Sequence, residues 1–287
     1  MKYSSLMQYK LAILFAMLSV AFCFQGVSPA YAAASGLEKQ LKSGKKDIHF
    51  ANASSGDIRI RKNVSVTGDN SKAVINGDVR MENGSTLRNV TVDAKVVGIS
   101  VTRGASVTLI NVTIKGASDA GIMTQSGGGT LTIKDSRITK NRKGMYIHPG
   151  KSLAITNNDI TNNKEEGIDI RNNVSGTIAN NRISNNKESG LEIVVNGSSL
   201  SVSRNTLVGN TASGLSLQSY PKTSKSGNVT VSGNTLASNK KFGVSCGSPS
   251  GGKKPAGFFS NSIHFAGNSF EGGNSGGNIQ KVCGVGK

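Results

Sequence analysis

The chain has 287 residues, of which 36% are hydrophobic and only 5% aromatic, with 36 Gly and no Trp. Three Cys, three His and the lack of a Gly-rich phosphate loop argue against zinc, haem and nucleotide sites. The formal net charge of +18 favours anionic partners, namely acidic polysaccharide, anionic lipid or nucleic acid. Abundant Gly, Asn, Thr and Val favour many short strands joined by turns over helices.

The first 34 residues have the features of a secretory signal peptide. Lys2 and Lys10 precede the apolar run LAILFAMLSVAFCF, and Ala-rich small-x-small cleavage sites follow. The run is too short to span a membrane. We therefore expect residues 1–34 to be removed and residues 35–287 to form a protein that is secreted, periplasmic or on the cell surface.

The next segment, residues 36–46, reads GLEKQLKSGKK and predicts a short amphipathic helix. If the following strands form an open-ended sheet, the first strand would expose unpaired backbone groups. We expect the helix to cap that edge.

From Gly98 to Gly243, a Gly followed by an aliphatic residue recurs at intervals of 23, 23, 23, 23, 24 and 29 residues. A fixed period in this range indicates a solenoid, and the longer late intervals indicate inserted loops. Runs such as GIDIR and RISNN alternate with period two, as strands with one buried face do. The marker glycines are Gly98, Gly121, Gly144, Gly167, Gly190, Gly214 and Gly243.

Asn also recurs at fixed places in each repeat. Asn163, Asn186, Asn210 and Asn239 each lie four residues before a marker Gly. We predict that they stack as side-chain amide ladders at one turn, with left-handed backbone conformation. The Gly-Ile and Asn-x-Ile tracks resemble the right-handed parallel β-helix (pectin-lyase-like) superfamily. The resemblance implies an all-β, single-stranded right-handed parallel β-helix of ~22–24-residue coils with a short N-terminal capping helix.

In a β-helix, equivalent outward side chains stack into columns, so the repeat predicts spatial neighbours. In GIDIR, Asp169 and Arg171 should point outward between inward Ile residues. The same register gives a first column of Ser100, Met123, Tyr146, Asp169, Glu192 and Ser216. It gives a second column of Thr102, Gln125, His148, Arg171, Val194 and Gln218.

The middle of this face combines side chains suited to proton transfer and anion binding. His148 is a candidate base near neutral pH, Tyr146 a candidate acid or base, and Arg171 a partner for a carboxylate. Asp169 and Glu192 would polarise one another, share a proton or hold a calcium ion, and no other cofactor or metal is expected. The alternative is a solvated face with surface ion pairs worth under about 1 kcal/mol.

A second resemblance rests on Tyr146-Ile147-His148-Pro149 followed by Asp169 one coil later. This is similar to the motif of mannuronan C5-epimerases and alginate lyases, in which a Tyr, an Asp-Pro-His and an Asp one coil on form the site. The resemblance implies that His148 and Tyr146 transfer protons, that Asp169 is the neighbouring carboxylate and that Arg171 neutralises a uronate. The Asp-Pro before the His is absent here, and Pro149 follows the His instead.

These features give two readings of function. In the first, Tyr146, His148, Asp169 and Arg171 form the catalytic group of a polysaccharide lyase or C5-epimerase. In the second, the protein is a non-catalytic adhesin, glycan-binding or structural cell-surface β-helix, so enzymatic activity stays open. Glycoside hydrolysis by two carboxylates is a third, lower-ranked chemistry. The candidate substrate-binding residues are Gln125, Glu192, Gln218, Lys164 and Lys187.

The C-terminal part predicts a flexible basic loop and a disulfide. Residues 247–257 read GSPSGGKKPAG, and Cys246 and Cys283 are the cysteines left after the leader is removed. In an exported protein these two would form a bridge, with free thiols as the alternative. We expect a monomer with an anionic polysaccharide as partner, and neither nucleic acid nor a membrane span.

Overall fold

The computed structural model describes residues 36–220, 225–248 and 258–284. The predicted signal peptide lies outside these residues, as do residues 249–257 of the predicted loop, whereas Gly247 ends a strand. The described ranges hold one helix, α1 (Gly36–Lys42), 29 short strands and a final 3-10 turn (Lys281–Cys283). Every strand pairing is parallel, which confirms the predicted right-handed parallel β-helix.

The strands form three parallel sheets, and each coil contributes one strand to each sheet, except that the last coil has only a single bridge, at Ser269, beside the second sheet. The first sheet contains β1 (Asp47–Phe50), β4 (Ser65–Gly68), β7 (Ser85–Arg88), β10 (Val107–Ile110), β13 (Thr130–Lys134), β16 (Ser152–Thr156), β19 (Ser175–Ala179), β22 (Ser199–Ser203), β25 (Asn228–Ser232) and β28 (Ile263–Ala266). The second contains β2 (Ser54–Ser55), β5 (Val74–Asn76), β8 (Thr91–Asp93), β11 (Thr113–Lys115), β14 (Arg137–Thr139), β17 (Asp159–Thr161), β20 (Arg182–Ser184), β23 (Thr206–Val208) and β26 (Thr235–Ala237). The third contains β3 (Ile58–Ile60), β6 (Val79–Met81), β9 (Val97–Val101), β12 (Ala120–Thr124), β15 (Lys143–Ile147), β18 (Ile168–Ile170), β21 (Leu191–Val194), β24 (Leu215–Gln218), β27 (Phe242–Gly247) and β29 (Gly277–Ile279).

The core is a stack of aliphatic side chains along the axis of the helix. In the third sheet Ile122, Met145, Ile168 and Leu191 lie in register on consecutive coils and are fully buried. Each coil contributes a few such residues from all three sheets, so the apolar stripe of one coil is covered by its neighbours. Alternating sequence therefore becomes alternating burial, and the outward positions are left for polar side chains.

The marker glycines allow consecutive coils to pack closely. A Cβ built on Gly167 would lie 2.5 Å from the carbonyl oxygen of Gly190 and 2.8 Å from Nδ2 of Asn186. Neither distance leaves room for a methyl group. The Gly recurs with the repeat because the backbone of the next coil occupies the space beside it.

Two buried asparagine ladders run along the corners of the solenoid. In each, the amide Nδ2 of one Asn donates to Oδ1 of the Asn on the next coil, at 3.0 Å from Asn163 to Asn186 and 3.1 Å from Asn186 to Asn210. One ladder contains Asn141, Asn163, Asn186, Asn210, Asn239 and Asn274. The other contains Asn158, Asn181, Asn205, Asn234 and Asn268.

The predicted backbone conformation of the ladder residues is wrong by one position. The left-handed residues are those just before them, for example Asn162 (φ 59°) and Asn185 (φ 57°). Asn163 and Asn186 instead point inward, where each amide also bonds to backbone groups of neighbouring coils. The turn thus uses the first Asn for its backbone conformation and the second for its side chain.

Both ends of the described solenoid are closed. Helix α1 ends at Lys42, four residues before the predicted boundary, and buries Leu37 against the first coil. At the other end Cys246 and Cys283, which are 37 positions apart in sequence, form the predicted disulfide, with their Cα atoms 5.1 Å apart. The bridge ties the final 3-10 turn to strand β27. No helix in ranges 36–220, 225–248 and 258–284 has the length and apolar character needed to cross a membrane.

Candidate functional site

One face of the third sheet carries the side chains predicted from the repeat. Tyr146 lies opposite Asp169, Asp169 opposite Glu192, and Glu192 opposite Ser216 in the strand register. The whole first predicted column is confirmed. We call the surface formed by Tyr146, His148, Asp169, Arg171 and Glu192 the polar strip.

The strand register agrees with the second predicted column, but one residue that was predicted to point outward, Val194, does not. Val194 pairs with Gln218 as expected, yet it is fully buried. Arg171 Nη2 donates to the hydroxyl of Tyr220 at 2.6 Å, although the two residues are 49 apart in sequence. This bond spans the coil that carries Val194, so a short apolar side chain there leaves room for the bridge.

Aromatic and cationic groups stack across the strip. The rings of Tyr146 and His148 meet edge to face with centroids 4.5 Å apart. The Arg171 guanidinium lies 5.9 Å from the Tyr146 ring and 6.0 Å from the Tyr220 ring. Such cation–π contacts fix the guanidinium in place. His148 is positioned by its backbone N–H, which donates to Thr124 Oγ1 at 2.8 Å.

Asp169 is the buried anion of the strip, with only 3% of the residue exposed. Its Oδ2 accepts a hydrogen bond from Lys143 Nζ at 2.9 Å. Its Oδ1 lies 3.7 Å from Arg171 Nη1 but has no hydrogen-bond partner within the part of the chain that the structure describes. The expectation of a solvated surface ion pair is therefore wrong for Asp169, because desolvation strengthens its interactions with both cations.

An acidic cluster, formed by Glu165, Glu166, Asp169, Glu188 and Glu192, surrounds Lys143. Glu166 and Glu188 hydrogen-bond to each other, and this bond, followed by burial, raises the pKa of Glu188 to about 7. Burial alone would raise the pKa of Glu166, but its hydrogen bonds to Glu188 and Lys143 hold that pKa below its ordinary value. The two carboxyls thus share one proton near neutral pH.

Glu192 joins the acidic cluster to a neighbouring groove. Burial, followed by repulsion from Glu166 and Asp169, raises the pKa of Glu192 to about 7. Ser216 Oγ donates to Glu192 Oε2 at 3.2 Å, and Gln218 Nε2 donates to Ser216 Oγ at 2.7 Å. The groove beside these residues has a volume of about 640 Å³, and Gln280 is among the residues that line it. Glu192 can therefore give or take a proton where solvent or a ligand can reach it.

The other predicted substrate-binding residues lie at the margins. Gln125 is exposed one coil before His148, and its Oε1 accepts the backbone N–H of Arg103 at 3.0 Å. Lys164 and Lys187 are exposed at equivalent positions before Gly167 and Gly190, and Lys187 lines the groove. Gln218 thus lies next to Glu192 of the polar strip, whereas Gln125 and Lys164 flank the strip.

Lys143 and Glu166 belong to the site but were not predicted as site residues from the sequence. They stand directly before the marker glycines Gly144 and Gly167. The two residues occupy the same repeat position on consecutive coils. Opposite charges at one repeat position could therefore have indicated that their side chains form an ion pair. The contact of Arg171 with Tyr220 had no such signal, because it crosses an intervening coil.

No set of three or more His, Cys, Asp or Glu side chains in the described ranges is arranged to hold a metal ion. The carboxylates that come closest together converge on the Lys143 ammonium. Chemically, the site offers a base or acid pair in Tyr146 and His148, a guanidinium, a buried carboxylate and a protonated carboxyl.

Comparison with known proteins identifies the fold family of the chain. A family model described as "Right handed beta helix region" matches residues 42–169 and 98–284. No curated protein sequence matches the chain.

Solved structures with the same fold share little sequence with the chain. The Dettilon tailspike protein (gp208) superposes with a TM-score of 0.61 at 16% identity, covering 83% of this chain and 56% of the tailspike. The periplasmic alginate epimerase AlgG gives 0.47 at 16% identity, covering 72% of this chain and 51% of AlgG. The A-module of Azotobacter vinelandii mannuronan C-5 epimerase AlgE4 gives 0.47 at 13% identity, with coverages of 86% and 92%. The chain spans about half the length of the tailspike and of AlgG, and at these identities the likeness is one of fold.

Proposed function

Because the chain belongs to the family of right-handed β-helix proteins, we propose that it is an exported protein that binds an acidic polysaccharide along the polar strip and abstracts a proton from it. The reaction would be of the lyase or C5-epimerase type. The high positive charge of the chain favours such a polyanion, and the exposed Lys164 and Lys187 border the strip.

One observation carries the proposal: of the five buried side-chain polar atoms that lack a hydrogen-bond partner within the described ranges, two belong to the strip. Asp169 Oδ1 and His148 Nδ1 both lack a hydrogen bond to any residue that the structure describes. Buried polar atoms are rarely left unpaired, because the loss of hydration costs about 1–3 kcal/mol for each group. Their position beside Arg171 and Tyr146 suits a ligand that brings both hydroxyl groups and a carboxylate.

The proposed mechanism follows from the acidity of a uronate. The C5 proton lies next to the carboxylate, and a guanidinium bound to that carboxylate stabilises the negative charge that develops when the proton leaves. Arg171 supplies the guanidinium, and His148 or Tyr146 accepts the C5 proton. If the bond from C4 to its oxygen then breaks, a C4=C5 double bond forms and the leaving oxygen takes a proton. If the proton instead returns from the opposite face, the product is the C5 epimer.

A second chemistry, glycoside hydrolysis, is favoured by one observation. Glu192 has a pKa raised to about 7, while the neighbouring Asp169 is held between Lys143 and Arg171. A protonated carboxyl beside a carboxylate is the pair that glycosidases use as acid and nucleophile. We rank it second because the nucleophile of a glycosidase must itself bond to the sugar, whereas Asp169 Oδ2 is held by Lys143 at 2.9 Å and Oδ1 lies 3.7 Å from Arg171.

The experiment is incubation of the purified protein with a panel of acidic polysaccharides. Three products are followed: unsaturated sugars by absorbance, exchange of the C5 proton with deuterated water, and new reducing ends. We expect unsaturation or exchange, lost at least about 100-fold in His148→Ala and Arg171→Ala. Ser100→Ala, in the same column but two coils from Tyr146, is the matched control and should keep the activity.

The outcomes separate the candidate functions. Reducing ends without unsaturation, lost in Glu192→Gln, would replace the proposal with hydrolysis. Salt-sensitive binding without turnover, unchanged in the His148 and Arg171 variants, would leave the non-catalytic reading.

A further inference from the structure

Lys143 is the least expected member of the site, because it is a nearly buried lysine held by several carboxylates at once. Its Nζ lies 2.5 Å from Glu166 Oε2, 2.9 Å from Asp169 Oδ2 and 3.5 Å from Glu165 Oε2. Only 16% of its side chain is exposed, with 8% for Glu166 and 4% for Asp169. The ammonium therefore donates hydrogen bonds to Glu166 and Asp169 and forms an ion pair with Glu165.

The charge balance shows what this ammonium does. Without this ammonium, the carboxylates of Glu166 and Asp169 would be buried close to each other and to Glu192 with too little positive charge nearby. Burial of uncompensated charges is strongly unfavourable, because each ion loses its hydration. Burial tends to lower the pKa of Lys143, but the hydrogen bonds and charges of Glu166 and Asp169 raise it well above its ordinary value. The group is therefore a permanent cation at any physiological pH.

The atoms around Lys143 Nζ are carboxylate oxygens, which are also the ligands that calcium prefers. Calcium binds carboxylate oxygens, several at a time, at about 2.3–2.6 Å and in flexible geometry. Three carboxylates of one coil converge on one point here, and the point is occupied by the end of a side chain from the preceding coil. The contact with Lys143 involves only one oxygen of Asp169: the residue is 97% buried, and its Oδ1 has no hydrogen-bond partner among the described residues.

We propose that Lys143 is the built-in cation of the acidic cluster, filling the place that a divalent ion would otherwise take. In the same contact it is a positioning residue. By holding Oδ2 of Asp169, it leaves Oδ1 directed toward Arg171 and the ligand side of the strip. The second statement rests on the proposed function, because it matters only if Asp169 serves the reaction, whereas the first does not.

The test exchanges the tethered cation for a free one. Lys143→Met keeps the length of the side chain and removes its charge. Calcium chloride is titrated into the variant and the parent protein at neutral pH by calorimetry, with terbium luminescence as a second readout and sodium chloride of equal ionic strength as the blank. We expect the variant to gain one saturable site with a Kd of about 10⁻³ M or tighter, and its Tm to rise with calcium.

Three further variants show where the ion binds. Lys143→Arg keeps the charge and should gain no site. Lys143→Met combined with Asp169→Asn should lose the gained site. Lys115→Met is the matched control, because Lys115 pairs at 2.9 Å with Asp93 alone on the second sheet, and it should bind no more calcium than the parent.

The proposal is overturned if folded Lys143→Met binds no more calcium than the parent, or if the Asp169→Asn combination still binds it. If Lys143→Met folds only with calcium present, the proposal is supported, and if it folds in neither condition, it is overturned. Because cation binding is measured without substrate, failure of the proposed enzymatic activity would not affect this result.

Discussion

Asp169 shows why outward residues of a solenoid cannot be judged from their position alone. Its strand register places it on the outer surface, as the repeat predicts, yet Lys143 and its neighbours bury it almost completely. The local dielectric is therefore low, and nearby charges shift one another strongly. Glu192 shows the effect, because burial, followed by repulsion from Glu166 and Asp169, raises its pKa to about 7.

Glu192 should make the stability of the protein depend on pH. Its pKa rises from an ordinary value of 4.5 to about 7 on folding, so the folded state binds the proton more tightly. The stabilisation is fully present below about pH 4.5 and is lost as the pH rises through about 7, with an upper bound of about 3 kcal/mol. In urea unfolding between pH 4.5 and 8, Glu192→Gln should flatten this decline.

The control for that experiment is Glu271→Gln, since Glu271 is exposed. It should leave the slope of the unfolding free energy unchanged. If the curves of Glu192→Gln and the parent run parallel, the carboxyl of Glu192 does not titrate as described.

At the scale of the coil, the Asn ladders and the marker glycines hold successive coils in register. The side-chain amide of Asn186 takes part in four hydrogen bonds, two with Asn163, one with Asn210 and one with the carbonyl of Ile160. The ladder positions could be predicted from spacing alone, because every coil must present the same group at the same height. The division of work between Asn185 and Asn186 could not, because both residues of an Asn-Asn pair favour turns.

Removal of one ladder amide should destabilise the fold well beyond an ordinary substitution. Asn186→Ala leaves several buried backbone and amide groups unpaired, which predicts a loss of about 2–4 kcal/mol in the free energy of unfolding. Asn228→Ala, an exposed Asn on strand β25, should change it by less than about 0.5 kcal/mol. Equal effects in chemical denaturation would show that the ladder does not stabilise the protein.

A methyl group between coils should have a similar effect. In Gly167→Ala the new Cβ would lie 2.5 Å from the carbonyl oxygen of Gly190, which predicts a loss of about 2 kcal/mol or more. Gly128→Ala is the control, because no atom lies within 4 Å of its Cβ position. A thermal unfolding comparison in which both variants match the parent would contradict the close-packing account.

At the scale of the whole molecule, the solenoid is a chain of similar units that contact mainly their neighbours. Its fold was predictable because periodicity, strand alternation and turn residues all indicated one architecture. The site was only partly predictable, since the repeat orders side chains into columns but does not show their reach. Arg171 meets Tyr220 across a coil, and Lys143 extends from a corner to Asp169.

The disulfide should stabilise the C-terminal end of the solenoid and not the whole solenoid. Reduction of the bridge between Cys246 and Cys283 frees the last coil, so hydrogen exchange should accelerate in strands β27 to β29. Strands β3 to β12 should keep their protection. Acceleration along the entire solenoid would indicate that the coils unfold as one cooperative unit.

We propose that the polar strip is the surface that binds an acidic glycan. NMR of the labelled protein during titration with an acidic oligosaccharide tests this binding residue by residue. Chemical-shift changes should concentrate at Tyr146, His148, Arg171 and Glu192 and disappear in Arg171→Ala. Shift changes confined to the first or second sheet, or no changes with any acidic oligosaccharide, would contradict the proposal.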